Sequence, residues 1–315
     1  MKMRSRTIRT VLAVWCVLFG LGQIFAQQPA PPNGPGQAPP PRSGFPAFRA
    51  DPRVQMRSYH FTDTNEDLQY ALFVSSKVKK DQKAPLIVTL HGLGAGPQIM
   101  LGTKAVDLAE AGGYILVGPM GVNNHGWYGI HFDMKGMAPP PRPANAGGDN
   151  AAAAPARPAM PPGIFGDPSK DPPNLNELSE KDVMNVLAIV RKEFNVDDRR
   201  IYLMGHSMGG AGTIYLGVKY GSIWAALAPI ASAAFTVDPD SLKNIKDMPI
   251  LFVHGDADTV VPVAVTRRFV EKAKELNMPN VVYKELPGID HGPIITAALE
   301  DVYAFFGKYS KPAGK

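Results

Sequence analysis

Cysteine is almost absent from this chain: 315 residues contain one, Cys16. It lies in an apolar N-terminal stretch, and a chain that loses that stretch keeps no thiol. Disulfides, thiolate metal sites and a cysteine nucleophile are then all excluded. Long apolar runs are missing as well. No window of about eighteen consecutive apolar residues occurs, which excludes a multi-pass membrane protein. Net charge is scarce once its location is considered. The formal charge is +5, but Lys2, Arg4, Arg6 and Arg9 supply four positive charges, and the remainder stands at +1. A nucleic-acid partner is therefore not expected. What is plentiful is apolar material, 45% of residues, which is too much for a disordered chain and enough for one large core.

The four cations precede V-L-A-V-W-C-V-L-F-G-L-G at 11–22, followed by Q-I-F-A-Q-Q. A basic start, an apolar core of about 7–15 residues and a small residue at the cut define a secretory signal. Ala26 is the expected residue before the cut. An uncleaved anchor would need about 17–25 apolar residues. A lipidated N-terminus would need small residues before Cys16, and Trp15 stands there. The expected product is periplasmic or extracellular, without a stable membrane anchor.

Prolines fall in two clusters, eight between Gln27 and Phe48 and eleven between Met137 and Leu175. The first reads as a solvated linker, the second as a low-complexity insertion without the apolar periodicity to pack, or alternatively a lid. The expected organisation is a signal at 1–26, a linker at 27–50, one folded domain at 51–308 interrupted at 137–175, and a tail at 309–315.

Between these segments strands and helices alternate. Val54–Phe61 and Leu68–Ser75 read as a hairpin. Leu86–His91, Tyr114–Gly118, Arg200–Gly205, Ala225–Ile230, Pro249–His254 and Val281–Leu286 are short apolar runs, as strands buried on both faces require. The clearest helix is expected to begin at Ser179, with Asp182 completing a capping box. It would bury Val183, Val186, Leu187, Val190 and Phe194. Others are expected at Pro97–Ala111, Met208–Tyr220, Val263–Leu276 and Ile294–Lys308. The pattern implies an α/β domain with an eight-stranded, mostly parallel sheet and helices on both faces.

The sharpest chemical signal is G-H-S-M-G at 205–209, between a strand and a helix. Glycines flank the serine because backbones pass too close there for a Cβ, which leaves Ser207 proud of the sheet as a candidate nucleophile. A serine hydroxyl needs a base, and the base needs an orienting carboxylate. Strand 249–254 runs into G-D-A-D-T-V-V-P and strand 281–286 into P-G-I-D-H-G-P, so a carboxylate and His291 fall at the C-terminal ends of later parallel strands. His206 is expected to point elsewhere, and His91 and His254 to bond nearby backbone. Asp258 lies farther out on its loop than Asp256 and reaches His291 better. Asp256 is suited to fixing the loop, and Asp290 is too close in sequence to orient its neighbour. Oxyanion donors are expected at the N–H groups of Met208 and of Leu93, within H-G-L-G-A-G. That stretch is no dinucleotide fingerprint, since Pro97 stands where its third glycine belongs, and no P-loop occurs.

At L-H-G-L-G (90–94), D-D-R-R-I-Y-L-M-G-H-S-M-G-G-A-G-T (197–213), F-V-H-G-D-A-D-T-V-V-P (252–262) and G-I-D-H-G-P (288–293) the chain resembles secreted α/β-hydrolase-fold serine esterases. That group holds dienelactone-hydrolase-like, feruloyl-esterase-like and polyhydroxybutyrate-depolymerase-like enzymes. The resemblance implies the α/β-hydrolase fold and hydrolysis of a small or polymer-borne carboxylic ester through an acyl-serine. In it Ser207 attacks, His291 acts as base then acid, Asp258 orients, and Leu93 and Met208 bind the oxyanion. It also implies that Trp127 and Tyr128, in G-W-Y-G, shape the substrate pocket. No cofactor and no metal is needed. A prolyl-oligopeptidase-type peptidase is disfavoured because there is no room for its gating domain. A silent binding protein is disfavoured because no triad member is missing. Expression in a secreting host is expected to yield a chain beginning at Gln27, read by intact mass; a mass that includes residues 1–26 would refute the signal.

Overall fold

A computed structural model describes residues 50–132 and 170–312. The signal at 1–26, the linker up to 49 and the insertion up to 169 lie outside the described residues. Among the described residues eight strands form one sheet: β1 (Gln55–Phe61), β2 (Glu66–Val74), β3 (Ala84–Leu90), β4 (Ile115–Pro119), β5 (Val196–His206), β6 (Ala226–Ile230), β7 (Ile250–Gly255) and β8 (Val281–Leu286). Their order is β1-β2-β4-β3-β5-β6-β7-β8. β1 and β2 form the expected antiparallel hairpin, β2 joins β4 antiparallel, and every later pairing is parallel.

Among the described residues six α-helices pack on the sheet: α1 (Thr103–Gly112), α2 (Leu175–Glu193), α3 (Met208–Lys219), α4 (Ala264–Glu275), α5 (Ile294–Ala297) and α6 (Leu299–Phe306). Because side chains alternate across a strand, the central strands feed two cores at once. Leu86, Val88, Leu90, Ile201 and Leu203 pack with Val183, Val186, Leu187 and Val190 of α2, Ile214 of α3 and Phe269 of α4. Ile87, Tyr202 and Met204 face the other way, toward Ala105, Val106 and Ala109 of α1 and Val302 and Phe306 of α6. Each such buried aliphatic or aromatic side chain contributes about 1.5–3 kcal/mol. With apolar residues needed on both faces, these strands read as continuous apolar runs.

Three expectations need correction. Ser179 and Asp182 do not cap α2, which starts four residues earlier at Leu175. Both are buried mid-helix, and their oxygens accept hydrogen bonds from another loop. The Ser179 hydroxyl accepts from Tyr128 N at 3.1 Å, and Asp182 Oδ2 accepts from Gly121 N at 2.6 Å. The helix expected from Pro97 starts at Thr103, the preceding residues being turns. The last helix is broken into α5 and α6. Asp171, inside the expected insertion, pairs with His125 at 2.7 Å, and the expected tail docks through Lys311 N onto Arg199 O at 2.9 Å.

Helix α2 thereby clamps residues 121–128, since Asn176 Nδ2 also donates to Gly126 O at 3.0 Å and Tyr59 Oη to Asp182 Oδ1 at 2.6 Å. Burial pushes the Asp182 pKa up to about 6, against the pull of hydrogen bonds from Tyr59 and Gly121. The folded state thus holds this proton to higher pH than the unfolded chain, so its stabilisation is present at low pH and lost as pH rises through 6. In Asp182→Asn this group cannot titrate. Wild type is expected to lose about 2–3 kcal/mol relative to the variant between pH 4 and pH 7. Urea unfolding of both proteins across that range checks the sign; parallel pH curves would refute it.

Candidate active site

The C-terminal ends of β3, β4, β5, β7 and β8 carry the loops in which the candidate residues lie. β5 ends in His206, and the chain turns into α3 at Ser207, whose backbone sits at φ 58°, ψ −116°. A non-glycine residue held there stores about 1–3 kcal/mol of strain, a cost that recurs at functional sites. The surroundings fix the turn: Ser207 N donates to Ile230 O at 3.0 Å, and Ala233 N donates to Ser207 O at 2.9 Å. The flanking glycines are obligatory. A Cβ on Gly209 would lie 2.1 Å from Leu90 O, and one on Gly205 2.3 Å from Gly209 O.

The loop after β3 runs against this turn. A Cβ on Gly92 would stand 3.3 Å from the Ser207 Cβ. Leu93 therefore follows a residue in contact with Ser207, and Met208 opens α3, whose N-terminus favours negative charge. The β3 loop is held from the next one: Gly94 N donates to Asn124 O at 2.8 Å, and the buried His91 ring faces the carbonyl oxygens of Gly92 (2.9 Å) and Met120 (2.7 Å). Burial keeps the His91 pKa below the ordinary histidine value.

Asp258 and His291 meet. Asp258 Oδ2 accepts from His291 Nδ1 at 2.7 Å, and Asp258 Oδ1 accepts from the Val260 and Val261 amides, both at 2.8 Å. Burial would raise the Asp258 pKa, but hydrogen bonds from His254 and His291 outweigh it and hold this carboxyl well below the usual range. It is therefore a carboxylate across the neutral range. Asp256 bonds Gly288 N at 2.6 Å, and Asp290 accepts from Thr259 N at 2.8 Å and from His291 N at 2.7 Å. These two acids tie the β7 and β8 loops together and leave Asp258 to face the imidazole.

His206 does not point away from the site. Its Nε2 donates to the His291 carbonyl at 2.8 Å, and the two rings lie 4.5 Å apart. The turn bearing Ser207 is thus bonded to the loop bearing His291. Burial, aided by the charge of His291, pushes the His206 pKa down to about 3. At neutral pH this ring is uncharged and its Nε2 hydrogen is committed. His254 also does more than bond backbone, since its Nε2 lies 3.1 Å from Asp258 Oδ2. Its sequence signal, a strand-end position directly before G-D-A-D, shows an address and not a partner.

Trp127 and Tyr128 are both held at positive φ, 56° and 51°. Tyr128 has no exposed surface and donates its hydroxyl to His91 O at 3.2 Å, so it supports the loop from below and offers no stacking face to a substrate. Trp127 is almost as buried and stacks on Phe132, ring centroids 4.0 Å apart, with the half-exposed Phe235 beyond at 6.3 Å from Phe132. Sequence reasoning missed both phenylalanines, because they come from different loops with no motif around them.

Comparison with known proteins agrees with this architecture. The phospholipase/carboxylesterase family profile matches residues 170–310. Over 139 residues the chain is 26% identical to acyl-protein thioesterase 1 of Emericella nidulans, covering 42% of this chain and 56% of that protein. It is 33% identical over 99 residues to cutinase 1 of Thermobifida cellulosilytica, covering 30% of this chain and 34% of that one. The chain thus spans about half, or less, of the length of these relatives. Among solved structures it superposes on a thermostable esterase with a TM-score of 0.58 at 24% identity, covering 82% of this chain and 64% of the other. Its fold is the α/β-hydrolase fold.

Because the contact at Gly209 is with backbone, no side-chain adjustment relieves it. Gly209→Ala is expected to cost about 3 kcal/mol or more, seen as a lowered urea midpoint or loss of soluble protein. A variant as stable as wild type would contradict the close approach.

Proposed function

We propose that this chain, which groups with the α/β-hydrolase-fold serine esterases, hydrolyses carboxylic esters through an acyl-serine intermediate and works outside the cytoplasm. The observation that carries the reading is the 2.7 Å bond between His291 Nδ1 and Asp258 Oδ2, on a loop hydrogen-bonded to the Ser207 turn.

That bond commits the Nδ1 hydrogen to the carboxylate and leaves Nε2 as the ring's free base. Ser207 Oγ attacks the ester carbonyl carbon while His291 Nε2 takes its proton. The carbonyl oxygen becomes an oxyanion and accepts hydrogen bonds from Leu93 N and Met208 N. These donors are fixed in advance and need no reorganisation as charge develops. Collapse breaks the bond to the alcohol oxygen, which receives the proton from His291, and the acyl group remains on Ser207. Water then attacks the acyl-serine, giving its proton to His291, and the acid leaves as Ser207 recovers its hydrogen. Asp258 stays ionised throughout and stabilises the imidazolium. His206, with its pKa pushed down to about 3, is no competitor for the role of base.

The apolar flank of Trp127, Phe132 and Phe235 suits an uncharged acyl or alcohol group, on a small molecule or a polymer. The N-terminal pattern of 1–26 supports export, and no helix among the described residues is long and apolar enough to cross a membrane.

Ser207→Ala is expected to lower turnover of p-nitrophenyl acetate and butyrate by about 10⁴–10⁶-fold and to abolish fluorophosphonate labelling. A folded Ser207→Ala variant that keeps most of its activity would overturn the reading.

A further inference from the structure

We infer that His254 is a positioning residue for the hydrolytic relay: its Nε2 hydrogen holds the face of Asp258 that meets His291. The inference rests on the proposed esterase reading and deepens it.

His254 is the penultimate residue of β7 and has no exposed surface. Its Nδ1 lies 2.7 Å from the hydroxyl of Thr266, itself buried in the first turn of α4. Its Nε2 lies 3.0 Å from Val261 O and 3.1 Å from Asp258 Oδ2. Both of those oxygens are pure acceptors, so a nitrogen between them must carry hydrogen; a lone pair there would be repelled by both. The Thr266 hydroxyl completes the assignment. It donates to Nδ1 when the ring is neutral and accepts from it when the ring is charged. In either state the Nε2 hydrogen faces Asp258.

Asp258 is consequently held from every side. Oδ1 takes the amides of Val260 and Val261, while Oδ2 is shared by His291 Nδ1 and His254 Nε2. Two amides alone leave a carboxylate free to rock about the axis through Oδ1. The His254 contact removes that freedom, because it fixes the second oxygen from inside the fold. It also takes part of the charge on Oδ2 that would otherwise act on His291, and so sets how tightly the carboxylate grips the imidazolium. The neighbouring ionisable groups are engaged elsewhere. His206 bonds the His291 carbonyl, Asp290 bonds Thr259 and His291 N, Asp256 bonds Gly288 N, and Glu285, beside His254 in the sheet, is held by Arg267. No second role competes for the His254 Nε2 hydrogen beyond the Val261 carbonyl.

The test compares His254→Leu, which removes the donor, with His254→Gln, which returns an amide N–H at similar reach. Thr266→Val serves as a near-isosteric variant that leaves the imidazole in place but unlocks it. With p-nitrophenyl butyrate, His254→Leu is expected to lower kcat about 10-fold or more with KM changed less than about twofold. The acid limb of its pH–rate profile should move about half a pH unit toward higher pH, as a carboxylate relieved of one donor holds the imidazolium more firmly. His254→Gln should recover most of kcat and the wild-type profile, and Thr266→Val should shift both in the direction of Leu by a smaller amount. Proton NMR of the hydrogen between His291 and Asp258 provides a readout without substrate. That signal should move further downfield in His254→Leu and Thr266→Val. Unchanged kcat, pH profile and proton signal in His254→Leu would overturn the inference. So would a Gln variant as impaired as Leu with a matching loss of thermal stability, the mark of packing alone. If His254→Leu does not fold, Thr266→Val decides, and a wild-type pH profile and proton signal in it would overturn the inference. If wild type shows no Ser207-dependent hydrolysis, the esterase reading fails, while the NMR shifts still decide whether His254 holds the carboxylate.

Discussion

A carboxylate with no exposed side-chain surface, met only by hydrogen-bond donors, is the constraint around which this molecule is arranged. Burying Asp258 is costly unless its charge is compensated from every side, and the compensation comes from four places: two amides of its own loop, a ring at the end of its strand and a ring on the next loop. Removing any donor leaves the same buried charge with fewer partners. That asymmetry, more than the energy of any one bond, keeps the β7 and β8 loops in register.

The parallel sheet explains why these loops meet at all. Crossover helices return each strand to the same direction, so every strand from β3 onward delivers its loop to one edge. Those loops then brace one another. The Ser207 turn bonds the ends of β6 and the His291 carbonyl, the Leu93 loop leans on Asn124, and the 121–128 loop is held by Asn176, Ser179 and Asp182 of α2. A helix whose polar residues resemble a cap in one dimension is thus a polar clamp in three. Its buried Asp182 is retained at a cost in charge burial because the loop it holds has amides that need an acceptor.

Two neighbouring histidines illustrate how environment divides labour between identical side chains. His206 and His291 have rings 4.5 Å apart. The first is surrounded by protein and gives its hydrogen to a carbonyl, and burial keeps it uncharged. The second is bonded to a carboxylate at one nitrogen. The proposed mechanism accordingly gives the role of base to His291, whatever its sequence distance from Ser207.

The sequence was sufficient for the sheet, because strands buried on both faces must be apolar at every position, and that leaves runs such as L-I-V-T-L-H visible without any structure. It was sufficient also for the tight turn at Ser207, since a turn that excludes Cβ atoms leaves glycines at fixed offsets, and for the positions of Asp258 and His291 after later strands. Contacts between polar groups far apart in the chain left no such trace. Ser179 and Asp182 are spaced as a capping box would be, and only the approach of the 121–128 loop reassigns them; Tyr128 reads as a pocket aromatic until the fold closes over it. His254 looked like a ring for loop backbone, and the packing of α4 and of the His291 loop around it gives it a carboxylate to hold. Periodicity and steric exclusion act along the chain and are written in it, whereas the partner of a buried polar atom is chosen by whatever the folded chain brings beside it.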